Sequence, residues 1–253
     1  MKKRRNQMIG LIGIVIGLII INFIPTWSLK TKQMHKLTGD FVDVYYETDE
    51  SGAKDVFELA EGESKRIARS LGFSSSQGIN IYIYDSQKTL QTKKYGYITW
   101  FLGLDWYIGD NRGVNVLLTS PNNSGKAHDY DSVRNASVHE MVHAYNSVKN
   151  KKMPLWLDEG LAGYLSGQVA PDNLYSRSIF IPSLKQMHTS NPVAFNKMGG
   201  YEFSYTYVEY LKDAYGWKKV EELAEVLDYN QVLGVTEKTV YEGWIEFLKE
   251  NYR

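Results

Sequence analysis

The sequence predicts an α+β domain carried behind a single apolar N-terminal helix. Three observations predict this. Segments with strand character cluster before residue 130, whereas from about Ser132 onward the apolar residues recur with a helical period. Ahead of both lies Met8–Ile24, a 17-residue run with no charge and one amide, Asn22. Strands early and helices late point to an α+β arrangement rather than alternating βαβ units.

The apolar run sits behind a cationic start, MKKRR. Spanning a bilayer takes about 20 apolar residues, with about 17 as the lower limit, whereas the core of a cleaved signal is about 7–15 residues long. No A-x-A-like cleavage site follows. The expected organisation is a cytoplasmic basic tail at 1–7, a transmembrane signal anchor at 8–24 and a polar tether at 25–39. A domain at 40–253 then lies outside the cytoplasmic membrane, strand-rich over 40–130 and helical over 131–253. Trp27 suits the outer interface. The alternative is an export signal that is cleaved to release the domain.

Within the domain, Phe41–Glu47, Ile79–Tyr84 and Val114–Thr119 carry the aromatic and β-branched content of strands. Lys54–Leu71 has helical spacing and stops at Gly72. Helices are expected at Ser132–Val148, Leu157–Ser166, Tyr201–Tyr215, Lys218–Tyr229 and Glu237–Asn251. Val114–Thr119 is the candidate for a sheet edge beside the cleft, where an extended peptide can pair with it; the other reading of the same residues is an interior strand. The aromatic residues of Trp100–Tyr107 are expected to fill the core, with lining a pocket as the other reading.

Composition excludes several functions. Lys+Arg and Asp+Glu are 29 each, but four of the cations lie within the first five residues. Without those four, 25 cations face 29 anions, a net charge of −4 on the remainder. A mildly acidic body attracts phosphate backbones poorly, so no nucleic-acid partner is expected. The absence of cysteine rules out disulfides, thiolate zinc sites and a cysteine nucleophile.

The chemistry concentrates in His139-Glu140-Met141-Val142-His143, an HExxH motif. Histidines four apart share one helix face, so both imidazoles can reach one ion, with Glu140 placed to act on a water at that ion. Val138, Met141, Val142 and Tyr145 form a separate stripe that can be buried while the histidines face a cleft. A hydrolytic zinc takes three protein ligands and keeps one position open. Glu159, sixteen residues beyond His143 in PLWLDEGLAGY (Pro154–Tyr164), can supply the third from a second helix.

HExxH followed by PxWLxEGLA resembles the gluzincin zinc metallopeptidases, in particular the bacterial peptidase MA-like family. The resemblance covers roughly residues 40–253. It implies a zincin-like fold, one Zn²⁺ held by His139, His143 and Glu159, and Glu140 as the catalytic residue acting on a peptide or protein substrate. Family members often carry Asn where this chain has Asp158, and the GxMEN substrate motif of the M1 aminopeptidases has no equivalent here. Related peptidases use a tyrosine to stabilise the oxyanion. Tyr201 is the first choice for that role, Tyr205 the next, with Tyr207 in the same segment. His188 is a lesser candidate, and His35 and His128 receive no role. Two other readings stay open: a catalytically silent zinc-containing module that binds peptides or surfaces, and a tethered structural protein whose histidines are incidental.

Overall fold

The computed structural model describes residues 2–253. Met1 and the side chains of residues 2–5, where most of the expected cationic tail falls, lie outside the described residues. Helix α1 (Lys2–Phe23) continues into a 3-10 turn at Ile24–Trp27. The stretch Asn6–Trp27 has a mean hydropathy of 2.6 and none of it is buried. It is long and apolar enough to cross a bilayer, as either a membrane anchor or a signal sequence would be.

The domain begins earlier than its sequence indicates. Strand β1 (His35–Thr38) falls inside the expected tether and forms an antiparallel hairpin with β2 (Val42–Tyr46). Ser28–Lys30 is also fastened down: Tyr84 donates to Leu29 O at 2.8 Å, and Lys93 to Ser28 O at 2.7 Å. The polar side chains of 28–39 look like a linker, yet their backbone groups are what bind here.

Helix α2 (Glu50–Ser70) starts at Asp49, whose carboxylate accepts the Gly52 N–H at 2.9 Å. On its inner side Glu61 accepts the amides of Asp40, Phe41 and Val42, which pins the β1–β2 turn. Then come β3 (Ile79–Tyr84), α3 (Gln87–Tyr95), a 3-10 turn at Tyr97–Phe101, β4 (Gly109–Arg112) and β5 (Asn115–Thr119). The five strands run in the order β1-β2-β3-β5-β4, with β2, β3 and β5 parallel and both edges antiparallel.

Two expectations are corrected. Within the α+β arrangement the strand half contains two βαβ crossovers, β2–α2–β3 and β3–α3–β5, where none was expected, so the centre of the sheet is parallel. And Val114–Thr119 is not an edge: β5 lies between β3 and β4. Its buried VLL core (Val116, Leu117, Leu118) is the pattern of a strand covered on both faces. The edge on that side is β4, whose sequence GDNR carries no strand signal.

One sheet face packs on α2 and on α4 (Tyr130–Lys149); the other covers Leu90 of α3 together with Tyr82, Tyr84, Tyr107 and Leu117. The helical half follows with α5 (Leu155–Leu165), the short α6 (Leu174–Arg177), α7 (Leu184–Met187) and α8 (Pro192–Lys197), and the longer α9 (Gly200–Tyr215). It closes with α10 (Trp217–Val226), α11 (Tyr229–Leu233) and α12 (Glu237–Asn251). Trp156, Phe203, Tyr207 and Trp244 form its buried aromatic centre. The molecule is thus a mixed α+β structure with one five-stranded sheet.

The expected core role of Trp100–Tyr107 fails for all but one of its aromatics. Tyr107 is buried, whereas Trp100, Phe101 and Trp106 are exposed. Of these aromatics only Tyr107 joins the cluster of Tyr82, Tyr84, Leu90 and Leu117 on the α3 side of the sheet.

Candidate metal centre

Helix α4 carries HExxH because its two faces differ. Val138, Met141, Val142 and Tyr145 are buried against the sheet and α2, with the Tyr145 hydroxyl 3.0 Å from Ser64 Oγ. That fixes the helix's rotation and turns His139 and His143 together toward α5. Asp129 caps the helix by accepting Ser132 N–H at 2.8 Å.

Helix α5 is positioned by packing. Trp156 and Leu157 enter the core, and Gly160 lies against α9, where an added Cβ would stand 2.5 Å from Ser204 O. Only glycine permits this approach, and it brings the first turn of α5, with Glu159, over the histidines.

The result is a compact set of three donors. His139 Nε2 and His143 Nε2 are 3.1 Å apart, and Glu159 Oε2 lies 3.3 Å from the first and 3.4 Å from the second. A tetrahedral ion with ligands at about 2.0–2.1 Å requires ligand-to-ligand separations of about 3.3 Å. Glu159 Oε2 is buried and forms no hydrogen bond of good geometry. Two imidazole nitrogens and a carboxylate oxygen within 3.4 Å of one another present the donor types of a metal site. These residues can therefore hold a metal ion.

The field at the centre follows from these contacts. Burial pushes the His143 imidazole down, but the Asp158 and Glu159 carboxylates outweigh it and hold it well above its ordinary value. His139 is lowered by burial and by neighbouring His143. Glu159 is driven up by burial yet ends well below the usual carboxylate range, held there by His143 and His139. Glu140 has no such partner. Burial raises it, His143 opposes, and Asp110 and Glu159 add to the rise, to about 8.

Two features of the surroundings were missed from sequence. Asp158 Oδ1 lies 2.9 Å from His143 Nδ1, on the far side of that ring from the centre, and accepts from Asn146 Nδ2 at 2.8 Å. The second feature is Asp110 on β4. It is paired with Lys94 at 2.5 Å, accepts from Tyr95 at 3.0 Å and from Tyr107, and approaches Glu140. At neighbouring Gly109 an added Cβ would be 3.1 Å from Glu140 Cγ. The i, i+3 step from His143 to Asn146 was a usable signal for the first; β4 offered none.

The three candidate tyrosines separate. Tyr207 is fully buried and donates to the Tyr229 hydroxyl at 3.0 Å, and Tyr205 is buried beside Tyr164, with Glu209 and Lys212 as its nearest charges. Tyr201, at the start of α9, is 42% exposed, and its hydroxyl lies in the field of Glu159, Glu140, His143 and Asp110. Burial and those carboxylates push it up to about 12. His188 instead pairs with Glu237 at 3.2 Å, His128 contacts Trp106 O at 2.9 Å, and His35 stacks on Tyr46. No protein family and no curated protein matches this sequence.

Proposed function

We propose that the chain is a membrane-anchored, extracytoplasmic zinc metallopeptidase with a zincin-like domain of the gluzincin, peptidase MA-like type. The observation that carries this reading is the convergence of His139, His143 and Glu159 at 3.1–3.4 Å, with half-buried Glu140 adjoining His139 on the same helix. A purely structural site has no use for Glu140, and the three donors leave a fourth tetrahedral position open.

His139, His143 and Glu159 would hold a Zn²⁺, which would supply Lewis acidity for activating water and polarising the scissile carbonyl. The chain's own residues do the rest. Glu140 accepts a proton from the attacking water as the oxygen–carbon bond forms. It returns that proton to the leaving nitrogen as the C–N bond breaks. Glu140 follows His139 directly on α4, which places its carboxyl to make both transfers. Tyr201, protonated at neutral pH, donates a hydrogen bond to the oxyanion. Asp158 places its negative charge 2.9 Å from the outer nitrogen of His143.

In this reading the apolar helix α1 anchors the domain at the outer face of the cytoplasmic membrane, or exports it if the helix is removed. The decisive experiment uses the full chain in detergent: metal content and cleavage of a peptide library, wild type against Glu140→Gln. Stoichiometric zinc in both, with hydrolysis in the wild type alone, is the expected result. Zinc without cleavage in the wild type would make the protein a zinc-containing binding module. Undiminished cleavage by Glu140→Gln would refute the mechanism.

A further inference from the structure

The segment between α3 and β4 presents an apolar face that the domain leaves uncovered. Ile98, Trp100, Leu102 and Trp106 are each more than half exposed, and Phe101 is 83% exposed. An exposed cluster of this kind marks a binding surface. Its neighbour indicates what it binds.

The end of α1 is docked on this same segment. Ile98 N–H donates to Asn22 Oδ1 at 2.7 Å, and Asn22 Nδ2 reaches Tyr95 O at 3.4 Å. Gly96, at φ +87°, makes the approach possible, since a Cβ there would stand 2.2 Å from Asn22 O. The single amide of the apolar run is thus satisfied by the loop rather than left bare in hydrocarbon. Between the two elements runs a groove of about 630 Å³ lined by Val15, Leu18, Ile19, Tyr97, Ile98 and Phe101. Val15 lies eight residues before Phe23, about 12 Å along the helix axis. The aromatic segment therefore runs beside the apolar helix for about two turns.

We propose that residues 97–106 form a second membrane element, inserted into the outer leaflet beside α1 with lipid acyl chains as its ligand. This rests on the reading of α1 as a transmembrane span. Continuity decides for lipid: the face extends a helix surface that is itself wholly unburied in the protein. The chemistry agrees. Trp and Tyr prefer the headgroup boundary, Phe101 and Ile98 the layer below, and Lys88 Nζ sits 4.2 Å above the Trp100 ring, as a cation at headgroup level would. Three of the loop's polar groups are occupied: Leu102 N–H donates to Thr99 O at 3.1 Å, Thr99 N–H to Gly96 O at 3.3 Å, and Trp100 Nε1 to Thr92 Oγ1 at 2.8 Å, while the exposed Asp105 carboxylate belongs at the aqueous rim of the element. Since β4 follows directly, two membrane contacts would fix the orientation of the edge beside Glu140 against the bilayer.

The chain has no cysteine, so single-cysteine variants can be labelled cleanly. Phe101→Cys, Val15→Cys and the 81%-exposed Val169→Cys are each spin-labelled in the full chain. The proteins are reconstituted into phosphatidylcholine–phosphatidylglycerol vesicles, and collisions with oxygen and with a water-soluble nickel chelate are compared. The expected result is an oxygen-to-nickel ratio at position 101 several-fold above that at 169 and close to that at 15. A nickel-accessible label at 101 with a lipid-buried label at 15 would overturn the loop insertion while leaving the span intact. Nickel access at both would overturn the span as well. Protection of 101 from both reagents would mean that protein, such as a second copy, covers the face, and would also overturn the proposal.

Discussion

Asp158 Oδ1 stands 2.9 Å from His143 Nδ1, on the opposite side of the ring from the nitrogen that faces Glu159. Adjacent residues of α5 thus grip one imidazole from both ends, one aimed at the metal position and one behind it. Such outer partners set a ligand's orientation and basicity. We predict that Asp158→Ala weakens zinc binding by about 10–100-fold, read by competition with a chromogenic chelator. Asp158→Asn keeps an acceptor oxygen and should fall between the two. Equal affinity in all three would remove Asp158 from the centre.

Tyr201 is the tyrosine whose hydroxyl feels both Glu140 and Glu159. Loss of one oxyanion donor typically lowers kcat by about 10²–10³. We predict that loss for Tyr201→Phe, with KM little changed and zinc retained. Tyr207→Phe, which breaks the bond to Tyr229, should lower thermal stability instead and leave kcat near wild type. The reverse assignment of effects would place the oxyanion donor elsewhere.

Gly160→Ala sets two effects against each other. Alanine favours a helix over glycine by about 1 kcal/mol. Overpacking costs about 1–3 kcal/mol, and the obstruction here is the backbone oxygen of Ser204, at 2.5 Å, which cannot swing aside. Packing should win. We expect a lower urea midpoint and reduced activity, because separating α5 from α9 moves Glu159 and Tyr201 apart. A stabilised, fully active variant would show that the contact relaxes freely.

Asp49 links the start of α2 to the turn after β5. It caps Gly52 and accepts from Ser120 and from Asn122. Burial pushes its carboxyl up, but the hydrogen bonds from Ser120, Asn122 and Gly52 outweigh that and leave it below its ordinary value of 3.8. A depressed carboxyl stabilises the fold above that value, and the contribution fades as pH falls through the lower folded value. Asp49→Ala should therefore cost about 1–2 kcal/mol at pH 7. The gap between variant and wild type should narrow as urea unfolding is repeated toward pH 3. A gap independent of pH would mean that the carboxylate's charge contributes nothing.

Local pattern carried much of the architecture. The apolar residues of α4 and the limits of β3 and α12 were legible because helical period, strand alternation and caps are properties of neighbouring residues. The same holds for α1, whose apolar run needs no partner to be recognised. His139, Glu140 and His143 were readable for a related reason: a helix dictates which of its own residues share a face.

What the sequence by itself determined, then, was the donors and the helices that bear them. The tertiary structure alone decided which strand became the edge, since β4 owes its place to pairing with β5 and not to its residues GDNR. It also decided that Asp158 stands behind His143, that Tyr201 rather than Tyr205 or Tyr207 shares the field of the centre, and that the rings around Phe101 stay outside. Each of these depends on how distant segments fill a limited interior, and such long-range packing leaves no periodic trace in the chain.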